Sequence, residues 1–221
     1  MGRFLDSSLG RKVVMASTGM LLVGFLAAHL LGNLTLFADR EGEAFLAYAN
    51  KIHDLGPLLW VAELGLVLLF GLHIYMALRL TRQNRLARPI GYQKPGQLGE
   101  SSAGSRSMVI TGLAVLGFTI VHLINFRFSK GLGAPESDDL LVEVKSVLTN
   151  PLYAAIYLMG AIAIGVHLSH GFRSLFQSFG IFHTRLNRVA KIAGYALAIL
   201  FALGFAAFPI VGMLVWKGDL S

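Results

Sequence analysis

With 55% of its 221 residues hydrophobic, only 14% charged and a mean hydropathy of +0.64, the chain is too apolar for a water-soluble domain, where about a quarter of residues carry charge. It contains no cysteine, which excludes thiolate-held iron–sulfur clusters, covalently attached c-type haem, disulfide exchange and cysteine-ligated zinc. The net charge of +7 would suit a nucleic-acid binder only if it formed one basic face, whereas here it is sorted loop by loop along the chain.

Five apolar stretches, Val13–Phe37, Leu58–Leu80, Met108–Phe126, Leu152–Phe172 and Ile192–Trp216, reach or approach the roughly 20 residues that a helix needs to cross a bilayer. They predict an all-α membrane protein with five transmembrane helices, the first four forming an up-down bundle, and with residues 1–221 as a single domain. Span 1 does not read as a secretory signal. Its apolar run exceeds the h-region length of about 7–15 residues, and Gly32–Asn33 leads into more apolar sequence.

After span 1, residues 38–57 form an outer connection in which Phe45, Leu46, Ala49 and Ile52 fall at helical spacing, as in a short helix lying on the surface. The inner loop that follows span 2, "RQNRLARPIGYQKPGQLGESSAGSRS", is rich in Gly, Pro and Ser and lacks apolar periodicity. Its basic residues suit either a docking surface for a soluble subunit or ordinary topogenic charge. Residues 127–150 repeat the amphipathic pattern in "DLLVEVKSVL", and Asn150–Pro151 opens span 4 because proline is tolerated in a helix's first turn.

Arg3, Arg11 and Lys12 precede span 1; Arg79, Arg82, Arg85, Arg88, Lys94 and Arg106 flank the loop between spans 2 and 3; Arg173, Arg185, Arg188 and Lys191 lie between spans 4 and 5. The opposite side holds nine of the twelve acidic residues. The positive-inside rule then places the N-terminus in the cytoplasm and the C-terminus outside. Glycines recur through the spans. Small residues let membrane helices approach closely and also leave room for a flat ring, and spacing alone does not separate these two uses.

Four histidines lie deep in spans: His29, His73, His122 and His167. At about 1.5 Å per residue each stands roughly 21–24 Å along its span. Successive spans alternate in direction, so His29 and His122 share a level near the outer surface, and His73 and His167 share one near the cytoplasm. Helices 1 and 3 of an up-down bundle are diagonal, as are helices 2 and 4, so each pair converges on the bundle axis from opposite sides. A lone membrane histidine is more often structural or part of a proton relay, but one per helix in two consistent layers is a different pattern. A relay would call for more carboxylates than Glu63, and zinc for three or four ligands at one level. Two facing imidazoles per level fit bis-histidine haem b, twice.

Weaker candidates surround this constellation. His170 stands three residues after His167 and suits a propionate, a docking surface or a polar helix end. Asn33 stands four after His29 and serves either that site or a helix-end hydrogen bond. Propionates want basic partners; Arg11, Lys12 and Arg173 are candidates at the inner level and Arg127 at the outer. Glu63 sits near the outer end of span 2, either at the interface or as a functional intramembrane carboxylate. His53 and His183 read as loop residues.

"SSLGRKVVMASTG" at 7–19, "HLLGN" at 29–33, "GLHIYMALRL" at 71–80, "SRSM" at 105–108 and "VHLSHGFRSLFQSFG" at 166–180 together resemble the cytochrome b558 subunit of succinate dehydrogenase and fumarate reductase, over nearly the whole chain. The resemblance implies a bacterial inner-membrane anchor with two haems b, one held by His29 and His122 and the other by His73 and His167. It implies a flavoprotein and an iron–sulfur subunit on the cytoplasmic face, and electron exchange with a quinone, usually menaquinone. Succinate and fumarate chemistry would then belong to the flavoprotein. The quinone would react near the outer haem, where Glu63 is a candidate proton acceptor. The competing expectations are a dihaem subunit of a hydrogenase or nitrate reductase and, in another class, a histidine-relay proton channel or transporter.

Overall fold

The computed structural model describes residues 7–86, 103–131, 136–180 and 184–217; Arg3, most of the inner loop including Arg88 and Lys94, and His183 lie outside them. Seven α-helices follow in order among the described residues: α1 Ser8–Asn33, α2 Glu43–His53, α3 Pro57–Leu86, α4 Ala103–His122, α5 Ser137–Thr149, α6 Pro151–Ser178 and α7 Thr184–Val211. Five of them, α1, α3, α4, α6 and α7, are long and apolar enough to span a bilayer, in agreement with the five expected spans, and α2 and α5 are the two short amphipathic connections. The spanning helices run beyond the apolar stretches at the Arg-rich end: α1 begins at Ser8, α3 continues to Leu86 and α6 to Ser178. Hydropathy marks the lipid-embedded part of a helix, whereas its hydrogen-bond ladder continues into the polar interface.

Local chemistry sets the helix ends. Ser7 caps α1 by accepting from the Gly10 amide at 2.9 Å, as N-cap hydroxyls do. The Asn150 side chain accepts from the Leu152 and Tyr153 amides at 3.0 and 3.3 Å, with Pro151 in the first turn of α6. Gly42, at φ +88°, bends the chain into α2. The Asp39 carboxylate accepts from the amides of Gly42, Glu43 and Ala44 there. Those bonds, that from Ala44 foremost, hold its carboxyl below the ordinary carboxylate range.

In the bundle, α1 packs against α3 and α6, while α4 packs against α6 and only lightly against α3. Helices α1 and α4 are therefore diagonal, as are α3 and α6. The fifth span, α7, lies along α6 and touches α1. The main core joins Leu30, Phe45, Leu148, Ile164, Phe201 and Trp216, drawn from α1, α2, α5, α6 and the end of α7. It occupies the end of the molecule covered by α2 and α5. Only 6% of the apolar window of α3 and 6% of that of α4 is buried, against 39% for α6, so the packed side of the molecule is the α6–α7 side. Close packing accounts for a subset of the glycines. A Cβ at Gly160 would collide with the Phe118 ring, one at Gly165 would lie 2.8 Å from Ala202 Cβ, and one at Gly204 would lie 2.8 Å from Leu30.

Candidate functional site

His29 on α1 and the final residue of α4, His122, meet across the bundle diagonal. Their ring centroids are 5.6 Å apart and their planes stand at 85°. Aromatic rings enclose them. Phe25, one turn before His29, stacks on it at 5.4 Å, and Phe205 of α7 approaches to 6.2 Å. Phe118, Phe126 and Tyr157 border His122 at 5.9, 5.1 and 6.0 Å. Directly after His122 the helix widens into one π-type turn, Leu123–Arg127, closed by the Phe128 amide on the Leu123 carbonyl at 2.9 Å. Such turns concentrate at functional sites because they rephase the side chains that follow. Here Asn125 is buried, and its amide donates to the Tyr157 hydroxyl at 3.3 Å.

The second level lies farther along the bundle. Thr18 Oγ1 is 3.1 Å from His73 Nδ1, and Thr111 Oγ1 is 3.2 Å from His167 Nδ1. Each threonine precedes a glycine against which the same imidazole lies: a Cβ on Gly19 would be 3.3 Å from His73 Cε1, and one on Gly112 3.4 Å from His167 Cε1. His73 and His167 thus stand on the diagonal helices α3 and α6, each against a Thr–Gly pair of a neighbouring helix. Because Thr18 and Thr111 each precede the other level's histidine by eleven residues, the two levels are separated by roughly 16 Å of helix axis. Among the described residues no three His, Asp or Glu side chains converge.

Asn33 donates to the His29 carbonyl at 2.7 Å, so its amide finishes α1. His170 is half-buried on α6, three residues after His167. Arg11 is half-buried and Lys12 exposed at the end of the bundle opposite α2 and α5, the end nearer the His73–His167 level; the side chain of Arg173 lies outside the described residues. Glu63 and Arg127, weighed separately in the sequence, are partners. Arg127 Nε and Nη2 donate to the two Glu63 oxygens at 2.7 and 2.9 Å, and the guanidinium lies over Trp60 at 5.2 Å and Phe128 at 5.4 Å.

The threonine–glycine pairs were not among the sequence candidates, although a signal for them exists. Residues 15–30 and 108–123 share M-x2-T-G-x4-G-F-x3-H-L, and residues 57–79 and 151–173 share P-L-x12-G-x-H-x5-R. Helices α1 and α3 are thus repeated, at nearly constant offset, as α4 and α6. Parallel repeats of this kind build many membrane bundles.

Fold and site together define a multi-pass helical membrane protein whose duplicated bundle carries paired histidines at two depths. Residues 81–208 match the succinate dehydrogenase/fumarate reductase transmembrane subunit family, and the chain belongs to that family. The matched stretch contains His122 and His167, while His29 and His73 precede it. No match to a curated protein or to a solved structure is found.

Proposed function

We propose that the chain is the dihaem, quinone-reactive anchor of a succinate:quinone oxidoreductase, with His29 and His122 holding one haem b and His73 and His167 the other. The observation that carries this reading is the perpendicular pairing of His29 with His122 at 5.6 Å. His29 and His122 would each supply an imidazole nitrogen to the iron of the outer haem. The enclosing rings of Phe25, Phe118, Phe126 and Phe205 offer an apolar, water-excluding wall for a flat macrocycle. The residues present fit the group.

A bis-histidine haem has no open iron position and passes single electrons. The chain's own residues fix where that happens. The His73–His167 level lies toward the basic end that the flavoprotein and iron–sulfur subunits would cover, and Arg11, Lys12, His170 and Arg173 are the candidates there for anionic propionates. The His29–His122 level lies toward the end that would face menaquinone. Glu63 is the nearest intramembrane carboxylate on that side. To accept a proton from a quinol it must first leave Arg127, itself the outer propionate candidate, so the ion pair ties these two roles together. In this reading the chain sits in a bacterial cytoplasmic membrane, N-terminus inside and C-terminus outside, and the partner subunit performs succinate chemistry. Membership of the family favours this over a hydrogenase or nitrate reductase subunit.

A pyridine haemochrome assay with a reduced-minus-oxidised spectrum of the purified protein tests the proposal. Two protohaems per chain are expected. A colourless, well-folded protein would overturn it.

A further inference from the structure

Resting on the dihaem reading, we infer that Thr18 and Thr111 are positioning residues which fix the tautomer of the inner histidine pair, so that His73 and His167 both keep an unprotonated Nε2.

The Thr18 hydroxyl stands 2.9 Å from the Val14 carbonyl and 3.0 Å from the Met15 carbonyl, and Thr111 stands 3.2 Å from the Met108 carbonyl. A carbonyl has no proton to give, so in every one of these contacts the threonine donates. A hydroxyl owns a single proton, and once that proton is turned back onto the preceding helical turn, only oxygen lone pairs remain for other partners. Those lone pairs lie 3.1 Å from His73 Nδ1 and 3.2 Å from His167 Nδ1. The imidazole must then donate, which assigns the hydrogen to Nδ1 and leaves Nε2 with its lone pair free. A neutral imidazole that ligates a metal needs this division, and the partner of its other nitrogen commonly enforces it.

The neighbouring glycines support the same function. A side chain at Gly19 or Gly112 would press on the imidazole Cε1, so the Thr–Gly dipeptide both holds the ring by hydrogen bond and admits its edge to the helix surface. The device occurs twice. Thr18 and Thr111 occupy equivalent positions in the repeat, each three residues after a methionine whose carbonyl lies within hydrogen-bond distance of the hydroxyl. The histidine that each one holds is likewise equivalent in the second half of the repeat. The levels are not treated alike: no threonine is placed at Nδ1 of His122, which has no partner among the described residues.

Donation from Nδ1–H to an oxygen makes the opposite nitrogen more basic, which favours ferric over ferrous iron. Loss of the acceptor should therefore raise the midpoint potential of the inner component. The test is an optical redox titration of the membrane-bound complex carrying T18V, T111V, T18S or T111S, with H73A identifying which spectral component is the inner one. Valine keeps the shape of threonine without its hydroxyl, and serine keeps the hydroxyl without the methyl. The expected result is an upward shift, or loss, of the inner component alone in the valine variants, with near-native behaviour in the serine variants. If the serine variants behave like the valine ones, the threonines act by packing and the inference falls. It falls equally if the valine variants leave both components unmoved, while two intact components would leave the dihaem reading standing. A wild-type complex without b-type haem removes the dihaem reading and this inference with it.

Discussion

Glu63 and Arg127 show how a residue's role depends on what stands opposite it. Alone in a span, Glu63 is an expensive charge with an implied function; paired through both oxygens with Arg127, it is also half of an ion pair between α3 and the end of α4. The side chains remain 29% and 17% exposed, so the pair is worth less than a fully buried one. Arg127→Leu, which strands the carboxylate, should cost about 1–3 kcal/mol, and the double variant with Glu63→Leu should recover part of that loss. Unfolding titrations in mixed micelles would read both, and full additivity would show that the pair contributes no coupling. Outside the membrane, Asp39 provides a pH-dependent contribution. Its carboxyl titrates below the ordinary value of 3.8 because the Ala44, Glu43 and Gly42 amides bond the ionised form. A depressed folded value stabilises the protein above that ordinary value, and the benefit disappears as pH falls through the folded one. Asp39→Asn should leave α2 fraying faster at neutral pH, measured by amide exchange over residues 43–53, and should flatten the acid limb of the stability profile.

At the scale of elements, glycine and the π-type turn settle questions that apolar runs leave open. Close approach explains Gly160, Gly165 and Gly204, whose missing side chains admit Phe118, Ala202 and Leu30. Gly24, Gly71 and Gly117 meet nothing within 4 Å, so a packing role is not general to the glycines of this chain. Gly165→Val should force α6 and α7 apart and cost about 1–3 kcal/mol, the usual penalty of overpacking. The same change at Gly65, where nothing lies within 4 Å, should be near neutral, and comparing thermal unfolding midpoints in detergent distinguishes them. The turn at Leu123–Arg127 ends α4 one residue out of phase, which carries Asn125 inward to Tyr157 and Arg127 to Glu63 from within the same turn.

For the molecule as a whole, burial is uneven. Helices α6 and α7 pack along each other and onto α1, whereas α3 and α4 touch only lightly and bury little of their apolar windows. If haem fills the space around the histidines, its removal should loosen α3 and α4 first. Hydrogen exchange on the detergent-solubilised protein, prepared with and without haem supply, should show the larger increase in residues 57–86 and 103–122. Equal protection in both preparations would mean that the helices hold themselves. On the proposed dihaem reading, His73→Ala or His167→Ala should remove the inner spectral component and spare the other.

Much of this architecture is dictated locally and is therefore legible in the sequence. A bilayer requires about 20 apolar residues per helix, so five spans and two amphipathic connections can be read directly. Alternating direction sorts four histidines into two depths by arithmetic. The internal repeat was equally present in the letters, but it appears only when span 1 is aligned with span 3 and span 2 with span 4. What tertiary structure alone decided are the contacts between residues distant in the chain: Thr18 with His73, Thr111 with His167, Glu63 with Arg127, and the right angle between His29 and His122. Hydropathy sets how deep a residue lies in the membrane. The direction its side chain faces depends on helix phase and on which helices are neighbours, and these are fixed only when the bundle packs.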